Sequence, residues 1–322
     1  MQEARVNQSS RSVHGHGGVA LHVRQWNPQH PITVVLVHGY PDCSHVWDRV
    51  AEQLAQQFHV VSYDVRGAGA SEAPADVADY KLDRLRVDFE AVINATSPDA
   101  PVHLVAHDWG SIQSWESVTD PALKHRIASF TSISGPCLDH VGQWVRRHLR
   151  SLEPARMSKV GGQLLHSWYV GLFQIPGLAP SLWKLGLDQL WPEVLARTEG
   201  LHGQSHSPSQ RKDGVHGIKL YRANMPQRLA APRERHTTVP IQLLVPLQDP
   251  YVTTALLEDI PLWADRVWRE DIDAGHWLPL SAPEWVAERV QRFVQFIDSG
   301  QPDDQAPAAL RQGQLSPLPR RH

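Results

Sequence analysis

Three side chains far apart in the sequence, Asp108, Asp249 and His276, could carry out one piece of chemistry together. A carboxylate can attack an electrophilic carbon, a histidine can then activate water, and a second carboxylate can orient that histidine. Asp108 has the most specific context. It lies in PVHLVAHDWGS (residues 101–111), whose apolar first half and small-residue second half describe a buried strand turning abruptly into a helix. Ala106 and Gly110 stand two residues to either side, where a tight elbow needs side chains small enough for backbones to approach. A serine at such an apex attacks acyl carbonyls, whereas a carboxylate attacks carbon and becomes an alkyl ester. On this window alone, an aspartate that merely caps the following helix explains the residue equally well.

Whether such residues can meet depends on the elements that carry them. VHGHGGVALHVRQW (residues 13–26) alternates about Gly17 and Gly18 as a hairpin does, after a polar stretch, residues 1–12, expected to be loose. His14 and His16 have metal-like spacing but no carboxylate or cysteine beside them, and read as hairpin surface residues. Apolar, β-branched runs at 32–39, 59–67, 101–106 and 127–135 read as strands covered on both faces. Val46, Val50, Leu54 and Phe58, then Leu82, Leu85, Phe89 and Val92, recur at helical spacing between them. This alternation predicts an α/β fold with a mostly parallel sheet and right-handed crossovers.

The rhythm breaks at Pro136, and residues 136–236 read as short helices and turns inserted after the sixth strand. It resumes with strands at 241–249 and 266–272 around a short helix at 255–263, and ends in a helix after Pro283. The expected organisation is a core of residues 1–135 and 237–299, a helical cap of 136–236, and a disordered tail of 300–322, which lacks periodicity.

With 322 residues the chain can bury a large core, and its net charge of −3 offers no basic field for nucleic acid or an anionic membrane. Small, weakly charged partners are expected. Two cysteines, Cys43 and Cys137, read as reduced thiols and fit the cytoplasm. A polar N-terminus and strand-sized apolar runs argue against a leader or a membrane span. Arg66-Gly67-Ala68-Gly69 follows a strand as a dinucleotide fingerprint would, but Glu72 holds the third glycine position, which rejects NAD. With neither a P-loop nor a zinc-type cluster, no cofactor or metal is expected.

In such a sheet, functional groups gather at the carboxyl ends of strands. The runs end at residues 38–41, Asp108, Asp249 and His276. Singly, Asp249 reads as an Asp-Pro turn and His276 as a loop histidine; jointly they favour catalysis. Asp139, just past the strand ending near Gly135, is a weaker candidate for the orienting acid. Hydrolysis of an ester on Asp108 needs oxyanion donors, which the backbone N–H groups of Trp109 and Tyr40 can supply.

HGYPD (38–42), DVRGAGAS (64–71), HDWGS (107–111), LQDP (247–250) and AGHW (274–277) resemble the epoxide hydrolase branch of the α/β-hydrolase superfamily. The resemblance covers about residues 13–299, and is closer still to the hydrolase half of actinobacterial proteins that join such a domain to a short-chain dehydrogenase. It implies the α/β-hydrolase fold with the chain order nucleophile Asp108, acid Asp249, histidine His276, and a cis peptide before Pro41. It also implies two cap tyrosines that polarise the epoxide. These fall on Tyr169, within SWYVGLFQIPG (167–177), and Tyr221, within IKLYRANM (218–225). Ala106 stands where glycine is more usual, and Gly171 is expected to widen the pocket.

The tyrosines make chemical sense by themselves, since neutral phenols can hydrogen-bond the ring oxygen and hand it a proton as it opens. Plain packing in an aromatic cap is the alternative. The implied partners are a small, largely apolar epoxide and water, with a tunnel lined by Trp168, Phe173, Trp183 and Trp191; a homodimer through the cap stays open. A haloalkane or haloacid dehalogenase shares the Asp elbow and Trp109, but Tyr40 and the two cap tyrosines favour the epoxide. A ligand-binding homologue without turnover is the third reading.

Overall fold

The apolar runs pair into one nine-stranded sheet in a computed structural model that describes residues 8–151, 153–204 and 207–316. The chain runs β1 (Gln8–His14), β2 (Ala20–Trp26), β3 (Thr33–Val37), α1 (Asp48–Leu54), β4 (His59–Tyr63), α2 (Leu82–Thr96), β5 (Val102–His107), α3 (Trp109–Val118) and β6 (Ile127–Ile133). The insertion follows as α4 (Leu138–Ser151), α5 (Pro154–His166), α6 (Trp168–Gln174), α7 (Leu178–Leu182), a π-helical turn (Trp183–Leu187), α8 (Asp188–Glu199) and α9 (Gln210–Ala230). Then come β7 (Ile241–Pro246), β8 (Val267–Ile272), α10 (Leu278–Ser281), α11 (Pro283–Asp298), α12 (Ala308–Gly313) and β9 (Gln314–Leu315).

The strand order is β1-β2-β4-β3-β5-β6-β7-β8-β9, parallel from β4 through β8 and antiparallel at both edges. The uninterrupted apolar character of β3 follows from its being covered on both sides. Val35 and Val37 face the cluster holding Phe89 and Trp115 of α2 and α3, while Val34 and Leu36 face Val50 and Val290 of α1 and α11. Within the insertion α4, α6 and α7 pack on α9, and α9 rests on the core turn Val77–Tyr80. That seat carries Tyr221 to the sheet edge.

Three expectations are corrected. Residues 8–12 are not loose: they belong to β1, whose backbone pairs with β2 from Gln8↔Trp26 onward while the side chains of residues 8–12 stay exposed. The helix expected at 255–263 is two 3-10 turns, Thr254–Leu257 and Ile260–Leu262; Pro261 lacks the amide hydrogen a continuing helix needs. The tail is not disordered as far as residue 316. Ala306 and Leu310 are buried against Trp268, Phe293 and Phe296, and β9 pairs with β8 at Val267↔Leu315. Two apolar anchors are too few to show a period. The remaining parts of those stretches, residues 1–7 and 317–322, lie outside the described residues.

Candidate active site

β5 ends at His107, and Asp108 then takes φ 50° and ψ −125° before α3 begins at Trp109. Positive φ in a non-glycine residue is held only where its surroundings fix it. Here they do: a Cβ on Gly110 would lie 2.2 Å from the Val37 carbonyl oxygen, and one on Gly135 2.2 Å from that of Asp108. The Asp108 side chain makes no cap bond to α3. Its oxygens go elsewhere, which decides the ambiguity of the elbow window against a helix cap.

Asp108 Oδ1 accepts the Tyr40 backbone N–H at 2.7 Å, and Oδ2 lies 3.6 Å from His276 Nε2. His276 Nδ1 is 2.9 Å from Asp249 Oδ2, whose partner oxygen accepts the amides of Tyr251 and Val252 at 2.8 and 3.0 Å. Burial alone would lower the His276 pKa, but the Asp249 charge, then Asp108, outweighs it and holds the imidazole well above its usual value. Burial likewise pushes Asp249 up, yet the His276 charge and these amides hold it low. With Nδ1 turned to Asp249, Nε2 faces the nucleophile candidate.

The loop of Tyr40 is fixed from behind. His38 donates from Nδ1 to the Gly39 carbonyl at 2.9 Å and accepts the Val65 amide at Nε2, also at 2.9 Å; burial keeps it neutral. The Tyr40–Pro41 peptide is cis. A Cβ on Gly39 would fall 2.3 Å from Asp108 Oδ1, so only glycine lets the two loops meet. The Trp109 amide lies beside the same glycine, without a bond to the Asp108 carboxylate in this resting geometry. The Tyr40 hydroxyl accepts from Trp183 Nε1 at 2.8 Å and donates to the Gly214 carbonyl at 3.2 Å, tying the loop to the insertion.

Tyr169 of α6 and Tyr221 of α9 meet with ring centroids 6.1 Å apart, and Tyr221 packs 4.7 Å from the Trp109 ring. Burial raises both phenols far above their ordinary value, with the Asp108 charge adding to it. Both therefore stay protonated and can donate at neutral pH.

Other candidates fall outside this group. Asp139 is held by Arg228 at 3.0 Å and Arg235 at 2.5 Å, away from His276. Arg66 makes a two-pronged bond to Asp88, and the glycines after it wrap a carboxylate: a Cβ on Gly69 would lie 2.2 Å from Asp64, which accepts the Ser44 and Ala70 amides. The glycine run that resembled a phosphate cradle thus serves the turn itself. Trp168 points to solvent, and Gly171 is exposed with open space where a Cβ would go, so neither shapes a tunnel. Phe173 and Trp183 pack on Tyr40, while Trp191 bridges Trp183 and Trp277.

Sequence reasoning missed three neighbours of His276. Asp42 accepts from Trp277 Nε1 at 2.9 Å, and burial lifts its carboxyl to about 7. The Tyr251 ring lies 4.9 Å from the imidazole. Glu199, at the end of α8, accepts the Trp277 amide at 3.3 Å. Asp42 stood inside a quoted motif and Tyr251 beside another, whereas Glu199 had no local signal at all.

Sheet order, elbow and strand-end residues make this an α/β-hydrolase in fold. A sequence profile described as alpha/beta hydrolase fold matches residues 32–174. The chain is 38% identical over 309 residues to the protein called probable oxidoreductase EphD of Mycobacterium tuberculosis, across 92% of this chain and 51% of that one. It is 24% identical to epoxide hydrolase 3 of Mus musculus, across 87% of this chain and 75% of the relative. The chain thus spans about half the length of its mycobacterial relatives. An epoxide hydrolase of Bacillus megaterium, solved with an inhibitor, superposes with a TM-score of 0.72 at 21% identity, over 89% of this chain and all of the other.

Proposed function

We propose that the protein hydrolyses epoxides to vicinal diols through a hydroxyalkyl ester on Asp108. The observation that carries this reading is the Asp108 carboxylate, with Oδ1 on the Tyr40 amide and Oδ2 toward His276, in reach of the charge felt by two protonated phenols. Oδ2, free of amide donors, attacks an epoxide carbon. The C–O bond breaks, and Tyr169 or Tyr221 gives the departing oxygen its proton. The ester formed is neutral, so the Asp108 charge that helps keep His276 protonated disappears. His276 then returns a proton to the tyrosinate through solvent and becomes the base for the second step.

Neutral His276 takes a proton from water, and the hydroxide adds to the Asp108 ester carbonyl. Negative charge develops on Oδ1, where the Tyr40 amide already points and the Trp109 amide is the second donor; such a donor is worth about 3 kcal/mol. Collapse breaks the bond between the ester carbonyl carbon and Oδ2, which leaves as the alkoxide oxygen. The alkoxide takes the proton of the added hydroxyl to become the diol, and Asp108 is restored as a carboxylate beside protonated His276, whose charge Asp249 stabilises. Relatives and neighbours named as epoxide hydrolases support the substrate class. The further likeness to the hydrolase half of a fusion protein is supported by a 51% span of a relative named as an oxidoreductase.

A dehalogenase reading is kept in view by one feature: the Trp109 indole is buried against Tyr221, and its Nε1 could turn from that phenol to a halide. The two phenols favour the epoxide. One experiment separates the readings. In His276→Gln the ester should accumulate, and the intact protein should gain the whole mass of an epoxide at Asp108. A haloalkane would instead leave an adduct lacking halogen. Absence of either adduct in a folded variant that still binds ligand refutes turnover at Asp108.

A further inference from the structure

The net charge of −3 conceals a division of charge along the chain. Residues 136–236 hold fourteen Lys and Arg against seven Asp and Glu, a net of +7, so the rest of the chain carries −10. Exposed apolar side chains divide the same way. Among the described residues, eleven of the thirteen large apolar side chains that face solvent belong to this insertion. They concentrate on consecutive elements from α5 to α8: Leu164, Leu165, Trp168, Leu182, Leu185 and Leu190, with Leu165, Trp168 and Leu185 exposed by 77%, 66% and 84%. Residues 154–187 contain no acidic residue, only Arg156, Lys159 and Lys184 as fixed charges.

Scattered exposed leucines are ordinary, but a concentration on one insertion marks an interaction surface. The charge on the page selects the occupant. A second copy meeting this face with its own would set like charges together. An anionic lipid surface offers an apolar interior for the leucines, an interfacial layer suited to Trp168, and phosphates for Lys184, while Arg156 and Lys159 are already paired with Glu153 and Glu258. We propose that the outer face of α5, α6, α7 and the π-helical turn docks on an anionic lipid bilayer. No described helix is long and apolar enough to cross a membrane, so the contact is peripheral. Trp168 adjoins Tyr169, with ring centroids 6.5 Å apart, so the docked face backs directly onto the candidate site. Apolar molecules dissolved in the bilayer would meet the protein at that side.

The test is flotation with phosphatidylcholine vesicles, with and without phosphatidylglycerol, and needs no turnover. The full chain should float with the anionic vesicles, and bind less at high salt. Lys184→Gln should weaken binding about fivefold. The double variant Leu165→Glu, Leu185→Glu should weaken it about tenfold or more, with its circular dichroism and thermal midpoint unchanged because both side chains are exposed. Failure of the folded wild-type chain to float with anionic vesicles at low salt overturns the proposal. So does a dimer in analytical ultracentrifugation that the same double variant dissociates, since the face then belongs to a second copy.

Discussion

Glu199 Oε2 accepts the backbone N–H of Trp277 at 3.3 Å, joining the last turn of α8 to the loop that carries His276. A Cβ on Gly275 would lie 2.2 Å from the same oxygen, so the contact also depends on that glycine. Burial raises the Glu199 carboxyl, against the His276 charge and the nearby amides. Glu199 thus touches the imidazole's surroundings in two ways, through the loop and through charge.

Glu199→Ala should lower stability by about 1–2 kcal/mol, because the Trp277 amide loses its acceptor. Glu199→Gln keeps an acceptor and should restore the thermal midpoint while losing the charge. Removing a negative charge near His276 lowers the imidazole pKa. The pH profile of ester hydrolysis in Glu199→Gln should therefore rise at lower pH than in the wild type. An unshifted profile would leave Glu199 a purely structural tie.

The pairing of Asp108 and His276 makes a second, signed prediction. Asp108 helps hold His276 above its ordinary value, so Asp108→Asn should lower the imidazole pKa, though Asp249 keeps it from falling freely. A histidine raised by folding contributes stability that is complete below about pH 6.5 and is lost as pH rises through its folded value. Asp108→Asn should narrow that window at its upper end. Imidazole carbon-bound proton shifts, followed against pH in both proteins, measure it directly. Equal titration in the two would mean that the 3.6 Å approach has no electrostatic consequence.

If the phenols protonate the opening ring, each has part of a general-acid effect worth about 10²- to 10⁴-fold. Tyr169→Phe or Tyr221→Phe should each cut kcat/KM for an epoxide by about tenfold to a hundredfold, and the double variant by more than either. Their pKa values are raised by burial, so wild-type activity should persist past pH 10, the ordinary phenol value. Turnover of the double variant at the wild-type rate would remove the tyrosines from the mechanism and return them to packing.

Much of this was legible in the sequence where the signal is local. The strands of the parallel core are unbroken apolar runs because both faces are covered, and the elbow is visible because Ala106 and Gly110 crowd around Asp108 within five residues. Asp249 and His276 were readable only as strand ends, a property of topology that a mostly parallel sheet makes predictable. Glu199 was invisible, since nothing near it in sequence specifies the Trp277 amide it meets. The outward turn of Trp168 was equally hidden: α6 is too short for its buried side to emerge from spacing alone, and none of its residues is fully buried. The asymmetry of charge between insertion and core was present in the sequence, but a whole-chain sum erased it.

The tail supplies the last prediction. Leu310 is completely buried in a small cluster with Trp268 of β8 and Phe293 and Phe296 of α11, and Arg266 pairs with Asp303 at 2.5 Å just before it. A disordered tail would make a substitution there neutral within about 0.5 kcal/mol. A leucine packed in a cluster costs about 2–4 kcal/mol when cut to alanine, because the cavity is added to the lost transfer energy. Leu310→Ala should therefore lower the unfolding free energy measured by urea denaturation by that amount. The catalytic constants should not change, since α12 packs on β8 at the sheet edge remote from Asp108. Removing all residues after Gly300 should cost more, because β8 then loses its β9 partner and Trp268 is laid open along the sheet edge.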